Sequence, residues 1–312
     1  MPPLSKKQRD NYIEGIHQLL LAENPRLPYR HIARNLGIYS KTASKIYKEA
    51  TEEGILFPPM LRPRIRTDYT EYVYSVNGKN IQNLFEKLSR DSRVEYVTWC
   101  RGQFDLLLIT NERIDLTVER EFEEVVLSGE RTGDYIFSFV ERGDYHAIFS
   151  EIDSFLDIGR FRTGKLTIKP EKRGNEWSDR EQKLFRYLKN DVRKTFTGIQ
   201  KELDISRSLL LKCYSIVRKH TIVAVPYYPK RFDMYTIVYL IIETEHEKQI
   251  VEVLSKFPCQ SSFFKVRDSL ICMIGTENNF TRRLFTLLNK MVTSTFVEDL
   301  SYSIPLYYFS QD

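Results

Sequence analysis

No apolar run in this chain approaches the roughly 20 residues a helix needs to cross a bilayer, and its opening residues, MPPLSKKQRDNY, lack the apolar core of a signal peptide. Neither membrane insertion nor export is expected, and the cytoplasm is the expected location. Cysteine is scarce. Cys100, Cys213, Cys259 and Cys272 form no CxxC pair and the five histidines are scattered, which argues against a disulfide framework or a zinc site. The chain also lacks the common catalytic signatures: the phosphate loop GxxxxGK, GxGxxG after a strand, HExxH and GxSxG. No cofactor and no enzymatic activity are expected on that ground.

What is present is a repeat. His31 to Leu56 reads HIARNLGIYSKTASKIYKEATEEGIL, and a shift of 167 positions lays it without a gap on GIQKELDISRSLLLKCYSIVRKHTIV, Gly198 to Val223. Apolar meets apolar at Ile32/Ile199, Leu36/Leu203, Ile38/Ile205, Ala43/Leu210 and Ala50/Val217, while Tyr47 meets Tyr214 and Lys45 meets Lys212. One supersecondary unit thus occurs twice. The net charge of +5 divides along the same lines: +6 over residues 1–66, −6 over 67–143, −1 over 144–166, +9 over 167–232 and −3 over 233–312. Basic charge gathers on the two copies, as expected of segments that meet phosphate.

In the first copy, Tyr12, Ile13, Ile16, Leu19 and Leu20 recur at helical spacing and the loop ENPRLP stops the helix. A short helix from Tyr29 to Asn35 follows, then the Gly37 turn, then a longer helix opened by Ser40 or Tyr39, with Ser40 suited to cap it. Gly54 ends that helix and a strand begins. This is the layout of a winged helix-turn-helix, whose last helix can lie in the DNA major groove. Ala43, Ile46, Tyr47 and Ala50 face inward. Ser40, Lys41, Thr42, Ser44, Lys45 and Lys48 are then the candidate contacts to phosphates and base edges, with Arg62, Arg64 and Arg66, spaced to share one side of a strand, as a phosphate-gripping wing. Such charges also occur on merely solvated faces and on protein-docking modules.

From Thr70 the pattern changes to strand, amphipathic helix (Ile81 to Leu88), strand (Val94 to Cys100), strand, charged helix (Leu116 to Val126) and strand (Tyr135 to Val140), which is a ferredoxin-like βαββαβ unit. Its central hairpin reads Arg101-Gly102-Gln103-Phe104-Asp105-Leu106-Leu107-Leu108. A winged helix-turn-helix followed by βαββαβ with this hairpin resembles the leucine-responsive regulator (Lrp/AsnC) family, whose second domain is of the RAM type. The resemblance implies assembly through that domain and a small-molecule effector, often an amino acid, held between subunits at Gly102, Phe104 and Asp105. Read from the residues alone, Asp105 equally suits a hairpin cap.

A linker with a short surface helix (His146 to Leu156) and a basic extended segment leads to the second copy. There Ser178 and Glu181 form a capping box, Asp204 stands where Gly37 stood, and Leu209, Leu210 and Leu211 cannot all face inward. Arg207, Ser208 and Lys212 are its outward candidates for DNA, with Lys230 and Arg231 in the wing position. A second βαββαβ unit follows, without the Gly-x-x-Asp spacing, and ends in the aromatic tail IPLYYFS, which suits a docking strand or the cover of a sheet edge.

The expected fold class is α+β, two winged helix-turn-helix domains (1–66 and 177–232) alternating with two ferredoxin-like sandwiches (67–143 and 233–312), joined by a linker at 144–176. The expected function is a DNA-binding transcriptional regulator whose partner is double-stranded DNA, with an amino-acid-like effector and pairing either within the chain as a pseudo-dimer or between chains as a homodimer. A DNA-organising or protein-interaction scaffold is the alternative. Siroheme decarboxylases, which resemble the same family, rank a distant third, because His146, His220 and His246 fall in three different contexts.

Overall fold

The computed structural model describes residues 4–66, 69–140, 143–166 and 177–311; most of the expected basic segment before Trp177 lies outside them. Along the chain, helices α1 (Lys6–Ala22), α2 (Tyr29–Leu36) and α3 (Ser40–Glu52) precede strand β1 (Met60–Pro63). Then come β2 (Tyr72–Gly78), α4 (Ile81–Leu88), β3 (Val94–Gly102), β4 (Leu106–Thr110), β5 (Phe122–Glu130) and β6 (Ile136–Phe137). Helix α5 (Tyr145–Ile158) leads to α6 (Asp179–Leu188), α7 (Phe196–Leu203), α8 (Arg207–Lys219) and β7 (Thr221–Ala224). The last part is β8 (Tyr235–Glu243), α9 (Glu247–Leu254), β9 (Ser262–Val266), β10 (Ser269–Glu277), α10 (Thr281–Thr293) and β11 (Asp299–Ser310). The protein is α+β, and no helix among the described residues is long and apolar enough to cross a membrane.

The elements sort into two compact units that interleave in sequence: Met1–Arg64 with Asn175–Tyr235, and Ile65–Gly174 with Thr236–Gln311. The first unit joins both copies of the repeat. In copy one, Ser5 and Gln8 cap α1 reciprocally, and α1 buries Ile13, Ile16, His17 and Leu20. Gly37 ends α2 at φ +65°, which lets Ile38 N–H reach Ala33 O at 3.0 Å. Tyr39, not Ser40, stands at the N-cap of α3 and makes no side-chain cap bond; Ser40 is already helical, so its hydroxyl is freed from the capping role expected of it. In copy two, Asp204 takes the same left-handed conformation at φ +48°, which Asp tolerates better than most side chains because its short carboxylate bonds locally. Ser206 caps α8 by accepting from Leu209 N–H. The two copies are stitched by strands. β1 pairs antiparallel with β7, Met60 opposite Ala224 and Pro63 opposite Thr221, and Phe57 N–H donates to Pro226 O while Tyr228 N–H donates to Ile55 O.

The second unit is built on one sheet of order β5-β2-β4-β3-β11-β8-β10-β9-β6. Each group of four strands has the ferredoxin-like order, and β11 fuses the groups by pairing with β8 on one side and β3 on the other. The tail IPLYYFS is therefore an edge cover: it lies in β11, with its register shift at Pro305/Tyr307, where a residue without an N–H is best tolerated. At the far end Thr132 N–H donates to Lys265 O at 2.8 Å, so the sheet curls until the β5 end returns to β9.

The first sandwich departs from expectation. No helix spans Leu116 to Val126; a single 3-10 turn at Leu116–Val118, capped by Asp115, gives way to β5, which pairs with β2 from Tyr72/Glu130 to Gly78/Phe122. The Glu-rich composition suggested a helix, but the run Val125-Val126-Leu127 satisfies the bare edge of β2, and backbone pairing over nine residues of strand outweighs a weak helical preference. The strand expected from Tyr135 to Val140 shrinks to Ile136–Phe137 and pairs with β9 of the other sandwich. Helix α5 is half buried, not a surface helix. Its Tyr145 and Phe149 stack with Phe280 at 5.0 and 6.0 Å, and Ile152 and Leu156 are buried on the same face.

Candidate nucleic-acid interface and sheet cavity

Helix α3 turns Ala43, Ile46, Tyr47 and Ala50 inward, so sterics and the 3.6-residue period leave the opposite stripe to solvent. Ser40, Lys41, Lys45 and Lys48 are exposed and Ser44 half-buried, which gathers five of the candidate side chains on one helix face; Thr42, half-buried, lies off its edge. Two of the lysines have helical partners one turn on, Lys45 with Glu49 at 3.6 Å and Lys48 with Glu52 at 3.7 Å. Exposed pairs of this kind contribute only about 0.3–0.5 kcal/mol, so a phosphate displaces them at little cost. Lys41 has no acidic residue at that spacing.

The arginines do not form the expected wing. Strand β1 is occupied in pairing with β7, and Arg62, half-buried, donates to the Leu61 carbonyl at 3.0 Å. Arg64 is half-buried and its N–H donates to His220 O at 3.0 Å; Arg66 belongs to the other unit and is 5% exposed. Of the three, only Arg62 lies in a strand, and that strand is consumed in joining the two copies. In copy two, Arg207, Ser208 and Lys212 are exposed on α8, Lys230 is exposed, and Arg231 pairs with Asp233 at 3.0 Å. Of the three leucines, Leu210 is fully buried, Leu209 half-buried and Leu211 46% exposed.

The residues that hold the two copies together went unnoticed in the sequence. Arg26, in the loop ENPRLP, donates to the Val192 and Lys194 carbonyls, the latter at 2.7 Å, with its guanidinium 3.9 Å from the Phe196 ring centroid. Arg193 does the reverse: it donates to the Pro25 and Leu27 carbonyls, both at 3.1 Å, and lies over Tyr29 and Tyr47 at 4.7 and 5.0 Å. Arg26 and Arg193 are related by the same 167-residue shift, as are Tyr29 and Phe196. That coincidence was the available signal. Burial lowers the Arg26 pKa, and the neighbouring Tyr214 opposes that shift. Behind this interface His17 is buried, its Nε2 3.1 Å from Val225 O and its ring stacked on Tyr227 at 4.8 Å; burial holds its pKa down at about 4, so the ring is neutral near pH 7.

The second unit contains a cavity of about 530 Å³ whose lining includes Lys79, Asn80, Trp99, Arg101, Gly102 and Asp105. Two of the three residues expected to hold an effector thus line it; Phe104 does not. Phe104 is fully buried, its N–H donating to Ser303 Oγ at 3.0 Å and its carbonyl accepting from the same hydroxyl at 2.8 Å. Gly102 permits the same approach of β11: a Cβ there would lie 2.5 Å from Tyr302 O. The Asp105 carboxylate accepts from Gly78 N–H at 3.2 Å, so it ties the end of β2 to the loop and does not cap its own hairpin. Cys100 also lines the cavity, but burial pushes its thiol up to about 12, and it is no nucleophile at neutral pH. Lys79 and Arg101 give the cavity the means to hold an anion. No histidine stands among its lining residues, and among the described residues no group of three or more His, Cys, Asp and Glu side chains is placed to hold a metal ion.

Residues 10–56 match the family model described as winged helix-turn-helix DNA-binding. No curated protein matches the chain. Among solved structures, the siroheme decarboxylase NirDL aligns over 96% of this chain and 93% of its own with TM-score 0.56 and 13% identity; the same enzyme in complex with an iron-uroporphyrin III analogue aligns over the same shares with TM-score 0.54 and 11% identity. The expectation of no enzymatic activity is corrected by this result, since a fold shared along nearly the whole chain is the fold of an enzyme. Missing motifs did not reveal it because they test only for chemistries that carry such motifs. The chain thus contains a winged helix-turn-helix DNA-binding domain within a fold similar to that of NirDL.

Proposed function

We propose that the protein is a DNA-binding regulator that grips duplex DNA through the exposed face of α3, with α8 as a second contact and the cavity at Gly102 and Asp105 as the place where a small anionic molecule modulates it. The observation that carries this reading is the coincidence of the DNA-binding family match with Lys41, Lys45 and Lys48 standing exposed on one face of the recognition helix. Each lysine that meets a phosphate releases about one counterion, so affinity falls with salt. The test is titration of the full chain against a mixed-sequence duplex by fluorescence anisotropy at several salt concentrations. Replacing the three lysines by alanine is expected to weaken binding at least about tenfold and to flatten the salt slope by up to about three; an unchanged slope would overturn the reading.

The fold likeness favours a second reading, in which the second unit acts on a tetrapyrrole as NirDL acts on siroheme. Lys79 and Arg101 would pair with its carboxylates, and a side-chain carboxylate would leave as carbon dioxide while the carbon left behind takes a proton. Incubation with siroheme, followed by mass spectrometry of the pigment, tests it: unchanged substrate and an unshifted absorption spectrum on mixing would dismiss this reading and leave the DNA-binding one standing.

A further inference from the structure

Resting on the proposed DNA binding, a comparison of α3 with α8 goes further. The 167-residue shift places Ser40 on Arg207, Lys41 on Ser208, Ser44 on Leu211, Lys45 on Lys212 and Lys48 on Ser215. Only one of these five outward positions keeps its residue. The inward positions are apolar in both helices and the reciprocal arginines fix the two copies in one unit, so the two helices are held alike while presenting different chemistry.

The largest difference is Leu211. It is 46% exposed, with Arg207 and Ser208 one turn before it, Ser215 one turn after and Lys212 beside it, all exposed. A lone exposed leucine needs no explanation, but one ringed by cations and hydroxyls on a helix of this type faces the same polyanion as its neighbours. In the major groove the apolar group a base pair presents is the 5-methyl of thymine. We infer that the two helices read unlike half-sites and that the α8 half-site carries a thymine whose methyl packs on Leu211. The partner is then an asymmetric duplex element.

The test starts with selection of bound fragments from random duplex DNA by the full chain. The enriched fragment is then remade with each thymine in turn replaced by uracil, which deletes one methyl and leaves the hydrogen-bonding edges intact. Removing one buried methyl is expected to weaken binding by about fourfold at one thymine, and Leu211→Ser, a surface change, is expected to bind the thymine duplex about fourfold more weakly while showing no further loss with uracil at that position. Three results overturn the inference while DNA binding itself stands: no enriched motif, two identical half-sites within the element one chain covers, or a uracil penalty that Leu211→Ser leaves in place. Retention of no DNA at all would instead remove the DNA-binding reading on which it rests.

Discussion

The two copies of the winged helix keep a largely apolar inward pattern, with different side chains filling it, and have exchanged almost everything on their outer faces. Copy one retains a glycine at its turn, a polar face on α3 and a buried histidine, His17; copy two has Asp204, Leu211 and Leu184 at the matching positions. Inward positions are held by packing, where a change of a single methylene is felt, whereas outward positions answer only to what they touch. Divergence that changes polarity mostly on the outer faces, with the joining arginines preserved at Arg26 and Arg193 and His17/Leu184 as the buried exception, fits two unequal heads locked together.

The His17/Leu184 difference is the sharpest way to separate the copies by stability. His17 titrates near 6.5 when unfolded and at about 4 when buried, so above pH 6.5 neither state is protonated and the histidine carries no penalty. As pH falls through 6.5 the unfolded chain takes the proton first, and stability declines until pH 4, by about 3 kcal/mol in all. His17→Leu, which installs the residue of copy two, is expected to remove that decline while costing about 1–2 kcal/mol at pH 7.5 for the Val225 carbonyl left unpaired. Urea denaturation from pH 7.5 to 4 measures both; an equal acid decline in the variant would exclude His17 as its source.

The reciprocal arginines rank next. Each donates charge-assisted hydrogen bonds to two carbonyls and covers an aromatic ring, so Arg26→Ala or Arg193→Ala is expected to cost about 2–3 kcal/mol. A double-mutant cycle by denaturation sharpens the comparison of the copies: equal single losses mean that the lock is symmetric despite the unlike heads, and a larger loss for one names the copy that leans on the other. Within the recognition helices, Lys45→Ala and Lys212→Ala, equivalent under the repeat, are each expected to reduce the salt slope of DNA binding by about one. A change at Lys45 alone would show that α8 does not touch phosphate.

Much of this fold was legible in the sequence because periodicity reports burial directly. The inward face of α3, the Gly37 turn and the capping box at Ser178 and Glu181 were all readable from spacing. The segment Leu116 to Val126 was not, because its glutamates favour a helix locally while the pairing partner that makes it a strand, β2, lies about fifty residues upstream. The wing failed for a similar reason. Arg62 lies in the strand its spacing suggests, but nothing local says that the strand will be spent on β7 and will end before Arg64. The cavity was half legible: the Gly-x-x-Asp loop marked its location, while Lys79 reaches it only through the turn between β2 and α4.

The smallest expected effect concerns the turns themselves. Gly37 and Asp204 occupy the same left-handed conformation at the end of the short helix in each copy, φ +65° and +48°. A Cβ at Gly37 would meet nothing within 4 Å, so a side chain there costs only backbone strain, and Gly37→Asp is expected to destabilise by about 1 kcal/mol. The converse Asp204→Gly relieves the same strain but enlarges the unfolded ensemble, and the two contributions leave a net change within about 0.5 kcal/mol. Thermal unfolding of the two variants separates them by sign and size. Equal losses from both would mean that Asp204 has acquired a stabilising contact of its own, and the turn of copy two would then be held by its side chain and not by the permissiveness that glycine gives copy one.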